Sequence, residues 1–225
     1  MRTPSRSLAG LLADLAHGPG GLAGLGQIDD AQMRAVGEAD ALAFSLYAGG
    51  RPEAVWWTRP DHGALDLEDA QYVVGEGPTV EAAETGRPVL VPDICHMPQR
   101  RWPLLLADPD VGTKLRALIA LPVHVEGEPV GVLAAYRRVP DLPSREAIRA
   151  LKAIAREIGS LLERAPLEVP MLHRAVVHQA AGVLADACGL GLEEAADQLL
   201  AQIFAARLGL IDGSRRILRQ LRAQH

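Results

Sequence analysis

The chain has 225 residues, of which 48% are hydrophobic and 23% are charged, and its formal net charge at pH 7 is -5. The hydrophobic fraction predicts an ordinary globular protein with a core, in one large domain or two small ones. The acidic balance excludes a protein that is basic over its whole surface, so any site for a polyanion must be a local patch.

The first apolar stretch, residues 8–16, is interrupted by Asp14 and is too short for a signal peptide. No run of about 18 apolar residues occurs in the chain, so no membrane span is predicted. Cys95 and Cys188 lie far apart without the spacing of a metal site, which predicts two reduced thiols. We therefore expect a cytoplasmic protein.

Residues 1–27 are predicted to form a short amphipathic helix followed by a Gly-rich linker. The period then changes to two residues, which predicts strands at residues 40–47 and 54–58 around a turn at residues 49–52. Residues 59–69 have the composition of a polar connection.

Residues 77–114 are predicted to form a long, mostly irregular crossover. It contains a short strand at residues 88–91 and possible helical pieces at residues 79–84 and around Leu104. Long crossovers in compact domains usually carry function.

After the crossover, residues 116–125 and 130–138 give the strongest hairpin signal in the chain. Both runs are rich in residues that favour strands, and the segment Glu126-Gly127-Glu128-Pro129 between them favours a turn.

Residues 144–165 return to a helical period, with Ser144 as the predicted N-cap. A heptad pattern predicts that one side of this helix covers the sheet while its seam pairs with another helix in a homodimer, to which the leucines near the N-terminus could add. The heptad residues are Ala147, Leu151, Ile154, Ile158, Leu161 and Ala165. Pro166 and Pro170 then mark a linker.

Three short amphipathic helices are predicted between residues 172 and 221, with breaks at Gly189, Gly191 and Gly209 and with Asp212 as a cap. Helices this short bury little surface alone, so residues 166–225 are predicted to be an output module attached to a larger domain. The apolar positions are Leu172, Val176, Val183, Ala187, Leu192, Ala195, Leu199, Ile203, Ile217, Leu218 and Leu221.

The positive charge of this module is concentrated at its end, where residues 207–225 contain five arginines and one acidic residue. On a helix, Arg215, Arg219 and Arg222 fall within about 40° of one line. Arg216 lies alongside them. This pattern predicts a phosphate track, because guanidinium forks suit phosphate oxygens; the alternative is a solvated helix face.

Two sets of motifs carry a resemblance to a known pair of domains. The first set is Gly75-Glu76-Gly77-Pro78, Thr85-Gly86-Arg87-Pro88-Val89, Asp93, Arg101-Trp102-Pro103 and Leu121-Pro122-Val123. The second set is Arg174, Val177, Ala180, Gly182 and Leu184, followed by Ala195 and Leu199. With the first set the chain resembles GAF sensor domains, and with the second it resembles the ANTAR domain to which actinobacterial GAF domains are fused.

The resemblance implies an α+β fold, in which an antiparallel-sheet GAF domain flanked by helices over residues 28–165 precedes an all-α three-helix ANTAR-like module over residues 166–225. It also implies that the dimeric module binds paired small hairpins in nascent leader RNA and causes transcription antitermination. The GAF domain would gate this activity in response to an unknown small effector or an upstream signalling protein. The residues expected to bind RNA are Arg174, His178, Gln179, Arg215, Arg216, Arg219 and Arg222.

The tail also departs from the family pattern. Ala181 stands where ANTAR domains have lysine, Ala185 where they have methionine and Ala196 where they have an aromatic residue. A lost lysine removes one phosphate contact. The alternative function is therefore a dimeric sensor or protein-interaction module of the same fold that has lost RNA binding.

Five residues are predicted to line the ligand pocket of a GAF-like domain: Tyr72, Thr79, Trp102, Thr113 and His124. Core packing is the alternative for Trp102. No cofactor is predicted, since no cysteine lies near Thr79 to hold a bilin and His124 is a weak candidate for a haem ligand.

Two residues of the tail have alternative interpretations. Gly182 lies inside a helix, either for tight packing within the module or for close approach of RNA or of a partner helix. Phe204 is expected to pack in the core of the module rather than to stack on a base.

No enzymatic activity is expected, because the chain contains neither Gly-x-Ser-x-Gly nor His-Glu-x-x-His, and no catalytic residue is assigned. No metal site is expected either, since His173 and His178 would lie about 140° apart on a helix. DNA is not expected as a partner, because Glu193 and Glu194 at the start of the second tail helix would repel it.

Overall fold

The computed structural model describes residues 7–17, 25, 28, 30–47, 50–58, 63–164 and 173–222. Most of the predicted Gly-rich linker, part of the turn at residues 49–52 and the linker with Pro166 and Pro170 lie outside the described residues. The same is true of Ala165 and Leu172.

Five strands form one antiparallel sheet. They are β1 (Ala41–Leu46), β2 (Glu53–Trp57), β3 (Val89–Val91), β4 (Ala117–Val125) and β5 (Glu128–Arg137). Their order across the sheet is β2-β1-β5-β4-β3, and every neighbouring pair is antiparallel. The predicted antiparallel sheet is therefore confirmed.

The strands β4 and β5 form the predicted hairpin, closed by Glu126 and Gly127. Both residues have positive φ angles, 52° and 91° respectively, as a two-residue type I′ turn requires. The turn is shorter than predicted, because Glu128 and Pro129 already pair with β4.

Helices cover both faces of the sheet. One face is covered by α1 (Leu8–His17), α2 (Asp30–Gly37) and α5 (Arg145–Arg164), and the other by α3 (Ala64–Val74), α4 (Pro78–Thr85) and the crossover. Consequently β1 is buried on both sides, whereas its alternating sequence predicted one buried face.

The helix α3 is the main element that the sequence analysis missed, because its first half lies in the predicted polar connection. Leu67 is buried in α3, but so are Glu68 and Gln71. Buried polar residues remove the apolar period by which an amphipathic helix is recognised. The helical piece predicted around Leu104 is also wrong, since that residue lies in turns and is 45% exposed.

The helix α5 confirms the prediction for residues 144–165, and the Oγ of Ser144 accepts a hydrogen bond from the backbone N–H of Ala147 at 3.1 Å. Leu151, Ile154, Ile158 and Leu161 of the heptad pattern, however, pack against the sheet and against α1 and α2 of the same chain. The predicted dimer seam is therefore wrong, because Ile154, Ile158 and Leu161 are already buried. The homodimer itself stays a prediction.

The C-terminal helices α6 (Ala175–Cys188), α7 (Leu192–Ala205) and α8 (Leu210–Arg222) form a unit with its own hydrophobic core, here called the helical tail. The prediction of three short helices is confirmed. Among the described residues no single helix is long and apolar enough to cross a membrane, and α6 and α7 pass that test of length and composition only as a pair bent by 110°.

Several details of the tail differ from the predictions. In α6 the buried face is shifted by one residue, since Val177 and Leu184 are buried while Val176 and Val183 are half-buried. Three further residues also differ: Ala187 and Leu192 are exposed, and Asp212 lies inside the first turn of α8 rather than at its cap.

Candidate functional site: the arginine face and the tail interface

Four exposed arginines lie along α8 and are here called the arginine face: Arg215, Arg216, Arg219 and Arg222. The opposite side of the helix buries Ile217 and Leu218 in the core of the tail. Among the described residues the only acidic partner of this face is Asp212, whose Oδ1 lies 3.4 Å from Nη1 of Arg215. The face therefore leaves most of its positive charge open to an anionic ligand.

The predicted contributions of α6 are less uniform. Gln179 is exposed, and His178 is half exposed with its Nε2 3.2 Å from Oε2 of Glu53. Ala181, at the position of the family lysine, is only 3% exposed and packs in the core of the tail. A lysine at this position would therefore point into the core in the present arrangement rather than toward a ligand.

Arg174 is not placed to bind RNA in this structure, because its side chain is completely buried. Its Nε donates a hydrogen bond to Oδ1 of Asp69 at 3.0 Å, and its Nη1 donates to the carbonyl of Pro52 at 3.1 Å. Its Nη1 also lies 3.7 Å from Oε1 of Glu53. Arg174 thus joins the start of α6 to α3 and to β2.

Two histidines complete the charged contact between the tail and the sheet domain. The Nε2 of His173 lies 3.0 Å from Oδ2 of Asp69, and its ring packs edge-on against Trp57. We call Arg174, Asp69, Glu53, His173 and His178 the Arg174 cluster. Each histidine contacts a carboxylate of the sheet domain rather than the other histidine. Among the described residues no group of three or more His, Cys, Asp or Glu side chains could hold a metal ion.

Tyr72 lies in this interface and not in a ligand pocket, so its predicted placement is wrong. It packs into the hydrophobic core of the tail, with the guanidinium of Arg174 4.2 Å from its ring centre. Burial raises the pKa of the Tyr72 phenol, and the carboxylate of Glu53 acts in the same direction. On the other side, Arg51 is 5.9 Å from the ring centre and pairs with Asp197 of α7 at 3.3 Å.

Arg51 also binds the end of α3, which stops at the left-handed Gly75. Its Nη1 donates hydrogen bonds to the backbone carbonyls of Tyr72 and Val73, which lie at the C-terminal end of that helix. A cation at this end of a helix satisfies free carbonyl groups and is favoured by the helix dipole. The same guanidinium therefore stabilises α3 and holds α7 beside it.

The other predicted pocket residues do not converge on one cavity. Trp102 is buried in the core, where its Nε1 donates to Oε2 of Glu81 at 3.0 Å, so its alternative interpretation as a packing residue is correct. Thr113 and His124 are exposed, and the hydroxyl of Thr113 donates to the carbonyl of Asp110.

Thr79 belongs to a buried polar network that the sequence analysis did not identify. The centre of the network is Glu68, which is 2% exposed and whose Oε1 accepts hydrogen bonds from Thr79 at 2.7 Å and from Tyr136. Its Oε2 accepts from Ser45 at 3.1 Å, and Gln71 donates to Oε1 at 3.5 Å. These side chains fill the space between α3 and the sheet.

The phenol of Tyr136 acts as a donor in this network. Burial raises its pKa well above the ordinary value for tyrosine, and the negative charge of Glu68 acts in the same direction. The phenol therefore stays protonated at neutral pH and can hydrogen-bond the carboxylate. Every residue of the network is paired, so the network has no free group with which to bind a ligand without rearrangement.

A cavity of about 180 Å³ opens in the crossover instead. Its lining residues are Ile94, Cys95, Met97, Gln99, Leu106 and Val111. None of the predicted pocket residues lines it. It is smaller than the ~300–1,000 Å³ of typical small-molecule sites, so only a small ligand would fit in this form.

Phe204 is 46% exposed, so the expectation that it packs in the core of the tail is wrong. It lies at the C-terminal end of α7. The ring is therefore available for stacking on a base, in addition to the charged contacts offered by α8.

Comparison with known proteins identifies the sheet domain. The family model described as the GAF domain matches residues 22–163. None of the curated proteins matches the chain.

Three solved structures show the same fold. The GAF domain of a phosphoenolpyruvate-protein phosphotransferase from Coxiella burnetii is 15% identical, with a TM-score of 0.52 and coverage of 70% of this chain and 94% of that one. The corresponding domain from Acinetobacter is 13% identical, with a TM-score of 0.52 and coverage of 70% and 91%. A free methionine-R-sulfoxide reductase from Neisseria meningitidis is 18% identical, with a TM-score of 0.50 and coverage of 69% and 86%.

These likenesses agree with the element order and the antiparallel sheet described above, and at this level of identity they show the fold alone. The family model, in contrast, spans more than half of the chain and matches its sequence. The chain belongs to the GAF domain family.

Proposed function

We propose that the chain is a signal-responsive regulator whose helical tail is an ANTAR-like module that binds leader RNA with paired small hairpins and causes transcription antitermination. The GAF domain is the sensing part. The observation that carries the proposal is the arginine face, since four exposed guanidinium groups on one short helix suit the phosphates of a folded RNA. The regulator acts as a cytoplasmic homodimer, so that two tails meet two hairpins.

The helix α3 is the element through which sensing would reach the tail. Glu68 points into the polar network of the sheet domain, and the adjacent Asp69 holds Arg174 of the tail. A signal that rearranges the network would turn α3 and displace Asp69. Such coupling requires that the signal bind the two arrangements with different affinities.

The proposed role is regulatory and not catalytic. The likeness to a free methionine-R-sulfoxide reductase concerns the fold. The charged residues of the Arg174 cluster, between the tail and the sheet domain, pair with one another. The arginine face adds binding groups rather than a nucleophile or a general base.

The test is a titration of labelled leader RNA with the full chain at low salt. We expect tighter binding to an RNA with two small hairpins than to the same RNA with one hairpin unpaired by substitution. Equal and salt-independent binding to both, or no binding to either, would contradict the proposal and would support the alternative function without RNA.

A further inference from the structure

A second row of positive charge, far from the tail, lies on the outer side of α5. Its residues are exposed and are here called the α5 ridge: Arg145, Arg149, Lys152 and Arg156. They are spaced by four, three and four residues, so they fall within an arc of about 60° on the helix. The ridge is opposite the apolar side of α5 that packs on the sheet.

The ridge is not neutralised by the protein. None of its four side chains forms an ion pair with any acidic residue that the structure describes, although the chain as a whole is acidic. Glu157 lies next to the ridge but pairs with Arg164 at 2.9 Å. Like charges three and four residues apart repel one another on a helix, so the arrangement weakens α5 unless an anion binds to it.

We propose that the α5 ridge binds the phosphate backbone of single-stranded nucleic acid without regard to base sequence. The ridge is about 16 Å long at the rise of an α-helix. One strand of a duplex carries about five phosphates over that axial distance, so the spacing of the four cations is comparable to that of nucleic-acid phosphates. Phosphate contacts carry no sequence information, so binding through the four cations of the ridge is independent of base sequence.

The same observations disfavour two other occupants. A two-fold contact centred on the ridge would bring two positive ridges together, which is repulsive. A membrane-surface helix needs apolar residues that insert between lipids, whereas the apolar residues of α5 are packed on the sheet and on α1 and α2.

The ridge is a site separate from the arginine face. The tail contacts α3, which covers the opposite face of the sheet from α5. The inference therefore does not depend on RNA binding by the tail. A leader RNA held by the tail could reach the ridge only with a strand that passes around the sheet.

The test is fluorescence anisotropy of a labelled uridine oligomer of about 20 nucleotides, titrated with the full chain at about 50 and about 200 mM salt. All variants carry Arg215→Gln, Arg216→Gln, Arg219→Gln and Arg222→Gln, so that binding by the tail is removed. In this background, replacing all four ridge residues with Gln is expected to weaken oligomer binding at least tenfold at the lower salt. The slope of log affinity against log salt should fall in magnitude by about 3, because each of the four lost phosphate contacts contributes about 0.7.

A matched pair of variants separates the ridge from general charge. Arg149→Gln with Lys152→Gln is expected to reduce the slope by about 1.4. Arg87→Gln with Arg100→Gln removes two exposed charges elsewhere on the surface and should leave the slope unchanged. Equal effects of the two pairs would overturn the inference, as would the absence of oligomer binding in the background chain at the lower salt.

Two further outcomes are informative. Ridge-dependent binding to anionic vesicles without binding to the oligomer would overturn the inference in favour of a membrane surface. If the wild-type chain does not distinguish paired hairpins but the background chain binds the oligomer through the ridge, the proposed function fails and the inference stands.

Discussion

Arg174 keeps a positive charge away from water between the carboxylates of Asp69 and Glu53 and the ring of Tyr72. Burying such a charge is costly, and the cost is offset only while its partners remain in place. The buried charge therefore contributes less to net stability than to fixing one position of the tail on the sheet domain. A tail docked in any other register would leave Arg174 or Asp69 buried without a partner.

Arg174→Gln should lower the free energy of unfolding by about 3 kcal/mol, because it leaves the two carboxylates without their buried cation. The measurement is urea unfolding followed by circular dichroism. Arg215→Gln is the matched control and should change stability by less than about 0.5 kcal/mol, since Arg215 is exposed. Equal stability of the two variants would show that the Arg174 cluster does not hold the tail in place.

Asp93 is held as a carboxylate shortly after the end of β3. Arg116 contacts both of its oxygens, at 3.0 and 2.6 Å, and is the main cause that lowers the pKa of the Asp93 carboxyl well below its ordinary value. A hydrogen bond from His96 and one from the backbone N–H of Cys95 act in the same direction. The folded state therefore binds the proton more weakly than the unfolded state does.

It follows that this carboxylate stabilises the fold above its ordinary pKa and loses that contribution as the pH falls toward the lowered value. Asp93→Asn should reduce the melting temperature at neutral pH and should make it fall less between about pH 4 and about pH 2 than in the wild type. Thermal melts across this range are the measurement. Parallel pH profiles for both proteins would contradict the assignment.

At the scale of single elements, α3 has the most connections. One side of it contributes Glu68 to the network under the helix, and its end and outer side contact the tail through Tyr72 and Asp69. The terminal carbonyls are held by Arg51, which also reaches Asp197. The helix therefore joins the interior of the GAF domain to the start of α6 through Asp69, while Arg51, bound to its last carbonyls, links its end to α7.

The element types were largely predictable from the sequence, because most of the strands and helices have apolar residues at a regular period. The prediction failed where the buried side chains are polar. Glu68 is buried because Tyr136 and Ser45, which lie in distant strands, come to hydrogen-bond its carboxylate. No local pattern contains that information, so both α3 and the network were missed.

The candidate site was predictable only in part. The arginine face follows from a spacing within one helix, and the structure exposes all four side chains. The burial of Arg174 depends on Asp69, about a hundred residues earlier in the chain. The face of α6 was misassigned by one residue because its core contacts are made by small alanines, Ala180 and Ala181, which allow close packing but give a weak hydrophobic signal.

Gly182 in α6 has open space around it, since an added Cβ would meet no atom of the described residues outside its own helix within 4 Å. Tight packing within the tail is therefore not the reason for this glycine, which leaves close approach of a partner as the remaining interpretation. Gly182→Ala should raise the free energy of unfolding by about 0.5–1 kcal/mol, because alanine favours helix. It should also weaken binding of the dual-hairpin RNA several-fold.

Urea unfolding and RNA titration of the Gly182→Ala variant give the two readouts. Ala187→Gly, at an exposed position of the same helix, is the control for helix propensity and should lower stability. A stabilised Gly182→Ala variant with unchanged RNA affinity would exclude close approach at this position.

At the scale of the whole molecule, the sheet separates two positive surfaces from each other. The tail docks on the α3 side and presents the arginine face, while α5 presents its ridge on the other side. Because α1 and α2 cover the described heptad residues of α5, the homodimer that we propose would use another surface. The paired tails required by a dual-hairpin RNA are therefore expected to meet through the tail itself or through the RNA.

The salt dependence of binding to dual-hairpin leader RNA tests the central claim most directly. The wild-type chain is compared with Arg215→Gln/Arg219→Gln/Arg222→Gln and with the control Arg87→Gln/Arg100→Gln. The account predicts that the triple variant loses at least tenfold in affinity and that its slope of log affinity against log salt falls by about 2, while the control matches the wild type. A triple variant that binds as tightly and with the same slope as the wild type would contradict the assignment of the arginine face as the RNA-binding surface.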